Sequence, residues 1–326
     1  MINVTQYAPP HHDVIDGAFT ARFPDFAFLK VDSVAELARA MPTTDVLVTS
    51  NPFYLPDVGQ VVRDNGKHLK WIQFTSVGID TAMASGLPSS VPVTNLRGVR
   101  TGVIAGHAIT LMLGLMRGLH VFDRYRRTHT WARDEMSKLV LTTEGKTLVI
   151  VGLGEIGRDC ARKAKAFGMH VIGISREGKA GGPIDEAFPR TQMPAILPRA
   201  DVLLLSLPLE AETHHIIGAR EIALLKPTAM IVNIARGALI DEPALVAALA
   251  ERRIAGAAMD VMETEPLPVD SPLWDFDNVL FSPHVGGHSD ATSKHALTEM
   301  IADNLRRFAA GEPLRNLMGA NAAAVE

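Results

Sequence analysis

Short apolar runs separated by polar connectors fill the first hundred residues. Ile2–Thr5, Val46–Thr49, Trp71–Phe74 and Val91–Thr94 read as brief strands, and Ser33–Ala40 between them carries helical spacing. From about Thr101 to Arg127 a long helical pattern takes over, with apolar residues on more than one face, as expected of a helix packed against several elements or another subunit. After Gly145 the alternation returns as six apolar runs: LVIVG, HVIGI, DVLLLSL, AMIVNIA, IAGAAMDV and NVLFS. Continuous apolar strands belong to a parallel sheet covered on both sides, and strand–helix alternation gives that sheet its helices. A last helical segment, Ala291 to Ala310, ends near Gly311-Glu312-Pro313 and is a candidate to cross back onto the first domain. The chain shows no internal repeat and no long linker.

The 326 residues suit two domains at ~150 residues each. A hydrophobic share of 47% against 21% charged residues excludes a disordered or low-complexity chain. With 32 Lys+Arg and 36 Asp+Glu the net charge is −4, which gives no global electrostatic reason to bind nucleic acid or an anionic membrane. Val103–Phe122 has nearly the length of a membrane span, but Arg117, His107 and its glycines make it a buried or interface helix. A lone Cys160 and an N-terminus without the features of a signal peptide point to the cytoplasm.

The strongest local signal is LVIVGLGEIGRDCARKAKAFG, residues 148–168. Gly152, Gly154 and Gly157 form G-x-G-x-x-G between an apolar strand and a helix, with Glu155 and Ile156 inside the turn. The first glycine permits the tight turn, the second lets backbone approach a pyrophosphate, and the third seats the helix close to the strand. Unpaired N–H groups at the helix start then meet phosphate charge. Cys160, on that helix, reads as a packing residue.

The next strand, His170–Ile174, should deliver the residue that reads the adenosine ribose. An acidic residue there would bind the 2′-hydroxyl of NAD; this chain has Ser175 and Arg176. A guanidinium beside a hydroxyl suits the 2′-phosphate of NADP, so NADP is the favoured cofactor and NAD the alternative, with Glu177 beside it.

Three later segments place polar residues just after apolar runs: Arg236 in MIVNIARGALID, Asp260 and Glu265 in AAMDVMETEPLP, and His284 in VLFSPHVGG. Ligands of open α/β sheets bind outside the carboxyl ends of the strands, so all three point to the crevice of the glycine loop. A histidine of reference pKa ~6.5 exists in either form near neutrality, and a carboxylate partner favours imidazolium.

With TSVGID (75–80), the 101–117 helix, GLGEIG, NIARG (233–237), DVMETEP (260–266) and SPHVGG (282–287), the chain resembles the D-2-hydroxyacid dehydrogenases over nearly its whole length, and within them the glyoxylate/hydroxypyruvate reductases. The resemblance implies an α/β protein of two doubly wound domains: a Rossmann-type dinucleotide-binding domain, residues 99–289, inserted into a flavodoxin-like substrate domain made of 1–98 and 290–326. It implies Arg236, Glu265 and His284 as catalytic residues, with Glu265 keeping a proton on His284 for an alkoxide and Arg236 holding a substrate carboxylate and polarising a carbonyl, and Asp260 as acceptor for the nicotinamide carboxamide. TSVGID is similar to the family's substrate loop, where N–H groups of Val77 and Gly78 bind the carboxylate, and it reads equally well as an ordinary turn. The implied reaction is hydride transfer between NADP(H) and a small 2-oxo or 2-hydroxy acid, D-specific, in a homodimer. A nucleotide-sensing protein of corepressor type and a phosphite-type dehydrogenase are the competing readings.

The family's Ala-Glu-His is Ala105-Gly106-His107 here, a change expected to touch a helix or subunit contact. His284 and His288 have the spacing of a helical zinc pair, but Gly286 and Gly287 argue against a helix, and adjacent His214 and His215 are expected to diverge. Glu263 is expected to be merely solvated. No metal is expected.

Overall fold

A computed structural model describes residues 1–9, 14–179, 181–288 and 291–318, apart from the side chains of 291–293. The chain divides into two compact units, Met1–Arg100 with Ser289–Glu326, and Thr101–His288.

The first unit is a parallel sheet of β1 (Ile2–Tyr7), β2 (Phe26–Val31), β3 (Val46–Thr49), β4 (Trp71–Phe74) and β5 (Val93–Thr94) in the order β2-β1-β3-β4-β5, the flavodoxin-like order. Successive residues face opposite sides. Leu47, Ile72 and Phe74 thus join one apolar cluster, while Val46, Val48 and Trp71 join another. The Ala291–Ala310 helix supplies Leu297, Ile301 and Leu305 to the second cluster. It is also fixed by polar bonds, because buried Asn304 donates to Gln73 Oε1 at 3.0 Å, an oxygen that Thr94 Oγ1 also reaches at 2.9 Å. The expected Val91–Thr94 strand is reduced to two residues. Pro92 has no N–H to give a ladder.

The second unit contains β6 (Thr147–Val151), β7 (His170–Ser175), β8 (Glu186–Pro189), β9 (Val202–Leu205), β10 (Met230–Asn233), β11 (Gly256–Met259) and β12 (Val279–Phe281). Their order is β12-β11-β10-β9-β6-β7-β8, all parallel. Read from β8, six of these strands follow the 3-2-1-4-5-6 order of a dinucleotide-binding sheet, and β12 adds a seventh. Val149, Val151, Leu203 and Leu205 pack on one face, and Leu148, Ile150, Val202 and Leu204 on the other. Burial on both faces accounts for the unbroken apolar runs.

The pattern that reads as one helix from 101 to 127 forms two, Thr101–Met116 and Leu119–Arg127, bent by 58° at the break. Gly118 takes the left-handed region at φ 66°, where helices commonly end. Ala108, Met112 and Leu115 of the first helix bury against the sheet, whereas the second is rich in arginine and has no buried residue. Among the described residues no single helix is long and apolar enough to cross a membrane.

Cys160 is buried on the Glu155–Ala166 helix, and burial together with the charge of Asp159 pushes its thiol up to about 12. Thiolate is the reactive form. A thiol reagent at pH 8 should therefore modify the native protein about 1,000-fold more slowly than the protein in denaturant, as followed by absorbance of the released chromophore.

Candidate active site

Val151 ends β6, and the chain turns at Gly152 with φ 103° to start the Glu155–Ala166 helix after Gly154. The turn closes on itself. A Cβ on Gly157 would lie 2.0 Å from the Gly152 carbonyl oxygen, and Ser206 Oγ donates to that same oxygen at 2.7 Å. A Cβ on Gly154 would meet nothing within 4 Å, so the backbone at the helix start is open to a ligand. Glu155 is exposed in the first helical turn and Ile156 is partly buried against the core. This cradle, with unpaired N–H groups at a twelve-residue helix, fits the pyrophosphate of a dinucleotide.

The pocket beside it is lined by Gly152, Gly154, Ser175, Arg176, Arg190 and Glu210, among others. Ser175 Oγ accepts the N–H of Gly178 at 3.0 Å, and Arg176 Nη2 pairs with Glu210 Oε2 at 2.9 Å. Arg190, which the sequence pattern does not single out, lines the same pocket because it follows β8, an edge strand with no apolar run to announce it.

Arg236, Asp260, Glu265 and His284 come together at the carboxyl ends of β10, β11 and β12. Beyond the strands the ladder continues: Asp260 N–H donates to the Asn233 carbonyl at 2.9 Å and Ser282 N–H to the Met259 carbonyl at 2.9 Å. Fully buried Asn233 shapes the turn that presents Arg236, donating from Nδ2 to the Arg236 carbonyl at 2.8 Å and accepting from Ala235 N–H at 3.1 Å. His284 Nδ1 lies 2.6 Å from Glu265 Oε2, while Glu265 Oε1 accepts the Met262 N–H at 3.0 Å. Burial alone would raise the Glu265 carboxyl; the bonds from His284 and Met262, with the charges of His284 and Arg236, bring it below its ordinary value. The bond to Glu265 raises the His284 imidazole above its ordinary value against burial and the charge of Arg236. The arrangement favours the protonated form of His284, within electrostatic reach of Arg236.

Asp260 is 3% exposed, and its oxygens are engaged by the protein itself. Oδ1 accepts from Ser282 Oγ at 2.6 Å and Val285 N–H at 3.0 Å, Oδ2 accepts from Gly286 N–H at 2.8 Å, and His107 Nε2 lies 3.2 Å from Oδ1. A carboxylate accepts about four hydrogen bonds. Asp260 therefore braces the segment that carries His284, whose own N–H bonds the Asp260 carbonyl at 2.8 Å. His107 joins this brace from the Thr101–Met116 helix, so the Ala-Gly-His triplet keeps the histidine that supports Asp260, while its departure, Gly106, faces open space.

Val77 and Gly78 lie just after β4 in the other unit, partly buried; the Val77 carbonyl accepts from Asn95 Nδ2 at 2.6 Å. The segment from Ser282 to His288 is irregular, as its glycines predict. Two expectations need correction. His214 and His215 do not diverge: His215 takes a left-handed φ of 49°, which leaves the ring centroids 3.9 Å apart. Nor is Glu263 merely solvated, since its carboxylate accepts from His215 Nε2 at 2.8 Å and from the Glu242 N–H at 3.3 Å, and its own N–H donates to Glu242 Oε2 at 3.0 Å.

Residues 109–286 match the family described as "D-isomer specific 2-hydroxyacid dehydrogenase, NAD binding domain". A glyoxylate reductase of Thermococcus litoralis is 35% identical over 288 residues, 86% of this chain and 86% of its own length. The chain belongs to the D-isomer specific 2-hydroxyacid dehydrogenase family. Among solved structures, a family protein from Aeromonas salmonicida superposes with a TM-score of 0.85 at 27% identity, covering 98% of this chain and 99% of that one. The NADPH-dependent glyoxylate/hydroxypyruvate reductase of Sinorhizobium meliloti, solved with NADP and malonate, superposes at 0.80 with 26% identity, covering 98% and 97%. This dehydrogenase is thus an oxidoreductase that uses a nicotinamide cofactor, with a small 2-oxo or 2-hydroxy acid as its substrate class.

Replacing Gly157 by alanine sets a methyl group against backbone oxygen. Gly157→Ala should cost about 1–3 kcal/mol of stability and weaken dinucleotide binding by roughly tenfold or more, measured by denaturant unfolding and by fluorescence titration.

Proposed function

We propose that this dehydrogenase reduces small 2-oxo acids of the glyoxylate or hydroxypyruvate type to D-2-hydroxy acids, with NADPH as the preferred cofactor. The observation that carries the reading is the proton-storing pair of His284 and Glu265 within the electrostatic reach of Arg236. The names of the relatives support the substrate class, and Arg176 beside Ser175 supports the phosphorylated cofactor. Gly152, Gly154 and Gly157 would hold the pyrophosphate, and Ser175 and Arg176 the ribose phosphate.

The nicotinamide, when bound, supplies the hydride that adds to C2 of the 2-oxo acid. Arg236 binds the substrate carboxylate and draws charge toward the carbonyl oxygen, a task for a planar, permanent cation. As C2 accepts the hydride, the carbonyl oxygen takes a proton from His284 Nε2, because Nδ1 is committed to Glu265. The imidazole is left neutral and regains its proton from solvent. In the oxidative direction the same nitrogen takes the hydroxyl proton. Asp260 keeps the imidazole in place through the Ser282–Gly286 segment.

NADPH oxidation followed at 340 nm with a panel of 2-oxo acids, and repeated with NADH, tests this reading; tight cofactor binding with no turnover on any acid overturns it. His284→Ala should lower kcat by about 10²–10⁴-fold while changing NADPH affinity by less than about twofold. Arg236→Ala should raise KM and lower kcat together, for a loss of about 10²–10³ in kcat/KM. Reduction needs imidazolium, whose pKa is raised. Its rate should therefore hold through pH ~6.5 and fall only at higher pH, and Glu265→Gln should move that fall to lower pH in the kcat/KM profile.

A further inference from the structure

Two arginines stand side by side at the carboxyl edge of the second unit. Parallel pairing of β7 with β8 ends with Ser175 opposite Pro189, and the next residue on each strand is an arginine, Arg176 and Arg190. Neighbouring strands in a sheet lie ~4.8 Å apart, so the two backbones deliver their side chains from adjacent rungs. Both line the pocket that opens at Gly152 and Gly154. The turn after Ser175 is pressed against the end of β8: Gly178 has φ 69°, and a Cβ there would lie 2.5 Å from the Pro189 nitrogen.

Each guanidinium has a carboxylate from one facing turn. Arg176 Nη2 pairs with Glu210 Oε2 at 2.9 Å, and Arg190 Nη2 with Glu212 Oε2 at 3.1 Å. Thr213 fixes that turn, its hydroxyl accepting from Glu210 N–H at 2.7 Å and lying 2.9 Å from the Pro208 carbonyl. The partners are open to solvent: the Arg176 side chain is 69% exposed and that of Glu212 70%, whereas Arg190 is only 28% exposed. Ion pairs of this kind hold weakly and exchange readily for a phosphate, which accepts bidentate bonds from two guanidinium groups at once.

We propose that Arg190 is a second residue reading the 2′-phosphate of the cofactor, forming with Arg176 a two-guanidinium subsite whose places Glu210 and Glu212 occupy until the phosphate displaces them. This deepens the NADPH reading and rests on it. Arg190 supplies the better-anchored half of the subsite, and Arg176 the more exposed half. The glutamates neutralise the pair and set a threshold that the 2′-hydroxyl of NADH, carrying no charge, does not pass.

Adenosine 2′,5′-bisphosphate and AMP differ only by the 2′-phosphate, so calorimetric titration of both with the full-length protein isolates the subsite. The wild-type protein should bind the bisphosphate at least tenfold more tightly, and Arg190→Ala should remove about tenfold of that preference while AMP affinity stays within twofold. Arg176→Ala should act in the same way. Glu212→Gln, which frees Arg190, should tighten the bisphosphate and leave AMP unchanged. Equal affinities in the wild-type protein would overturn the NADPH reading itself. Selectivity lost in Arg176→Ala but kept in Arg190→Ala, or a bisphosphate weakened by Glu212→Gln, would overturn the role of Arg190 alone.

Discussion

The hydrogen bond of 2.6 Å between His284 Nδ1 and Glu265 is the contact on which the proposed chemistry of this molecule turns. A carboxylate at that nitrogen fixes the tautomer, raises the basicity of the ring and leaves Nε2 outside that bond. The same bond favours the charged form of both members, against the burial that opposes charge on each. Without Glu265, burial and the charge of Arg236 would act to lower the His284 imidazole, opposed only by the charge of Asp260.

The parallel sheet makes this contact possible. Each of β10, β11 and β12 ends at the same level, and the ladder bonds that continue past the strands hold Asn233, Asp260 and Ser282 on successive rungs. One arm shapes the turn bearing Arg236, another carries the brace, and the third bears His284. Burying Asp260 would be costly if its oxygens were unpaired; three donors from the Ser282–Gly286 segment offset that cost and tie the segment down.

Much of this was legible before any coordinates. The strands of the second unit are buried on both faces, so their apolar runs stand out, and the glycine loop and the residues after β10, β11 and β12 follow from position alone. Edge strands were harder to see. Phe26–Val31 exposes Leu29, and Glu186–Pro189 is half-buried throughout, so neither has the continuous apolar signature of an interior strand. Missing β8 meant missing Arg190. The bend at Gly118 was hidden because apolar residues run on past it, although a left-handed glycine ends the helix. His107 was in view as part of a triplet, but its partner Asp260 is 153 residues away and only the folded chain joins them.

The left-handed backbone at His284, φ 54°, and its amide bonded to the Asp260 carbonyl fix where the side chain leaves the main chain, while the bond from Nδ1 to Glu265 holds the ring itself. A slip in the alignment of β11 with β12 would shift that main-chain anchor, so the placement of the imidazole depends on strand pairing as much as on its side-chain partner.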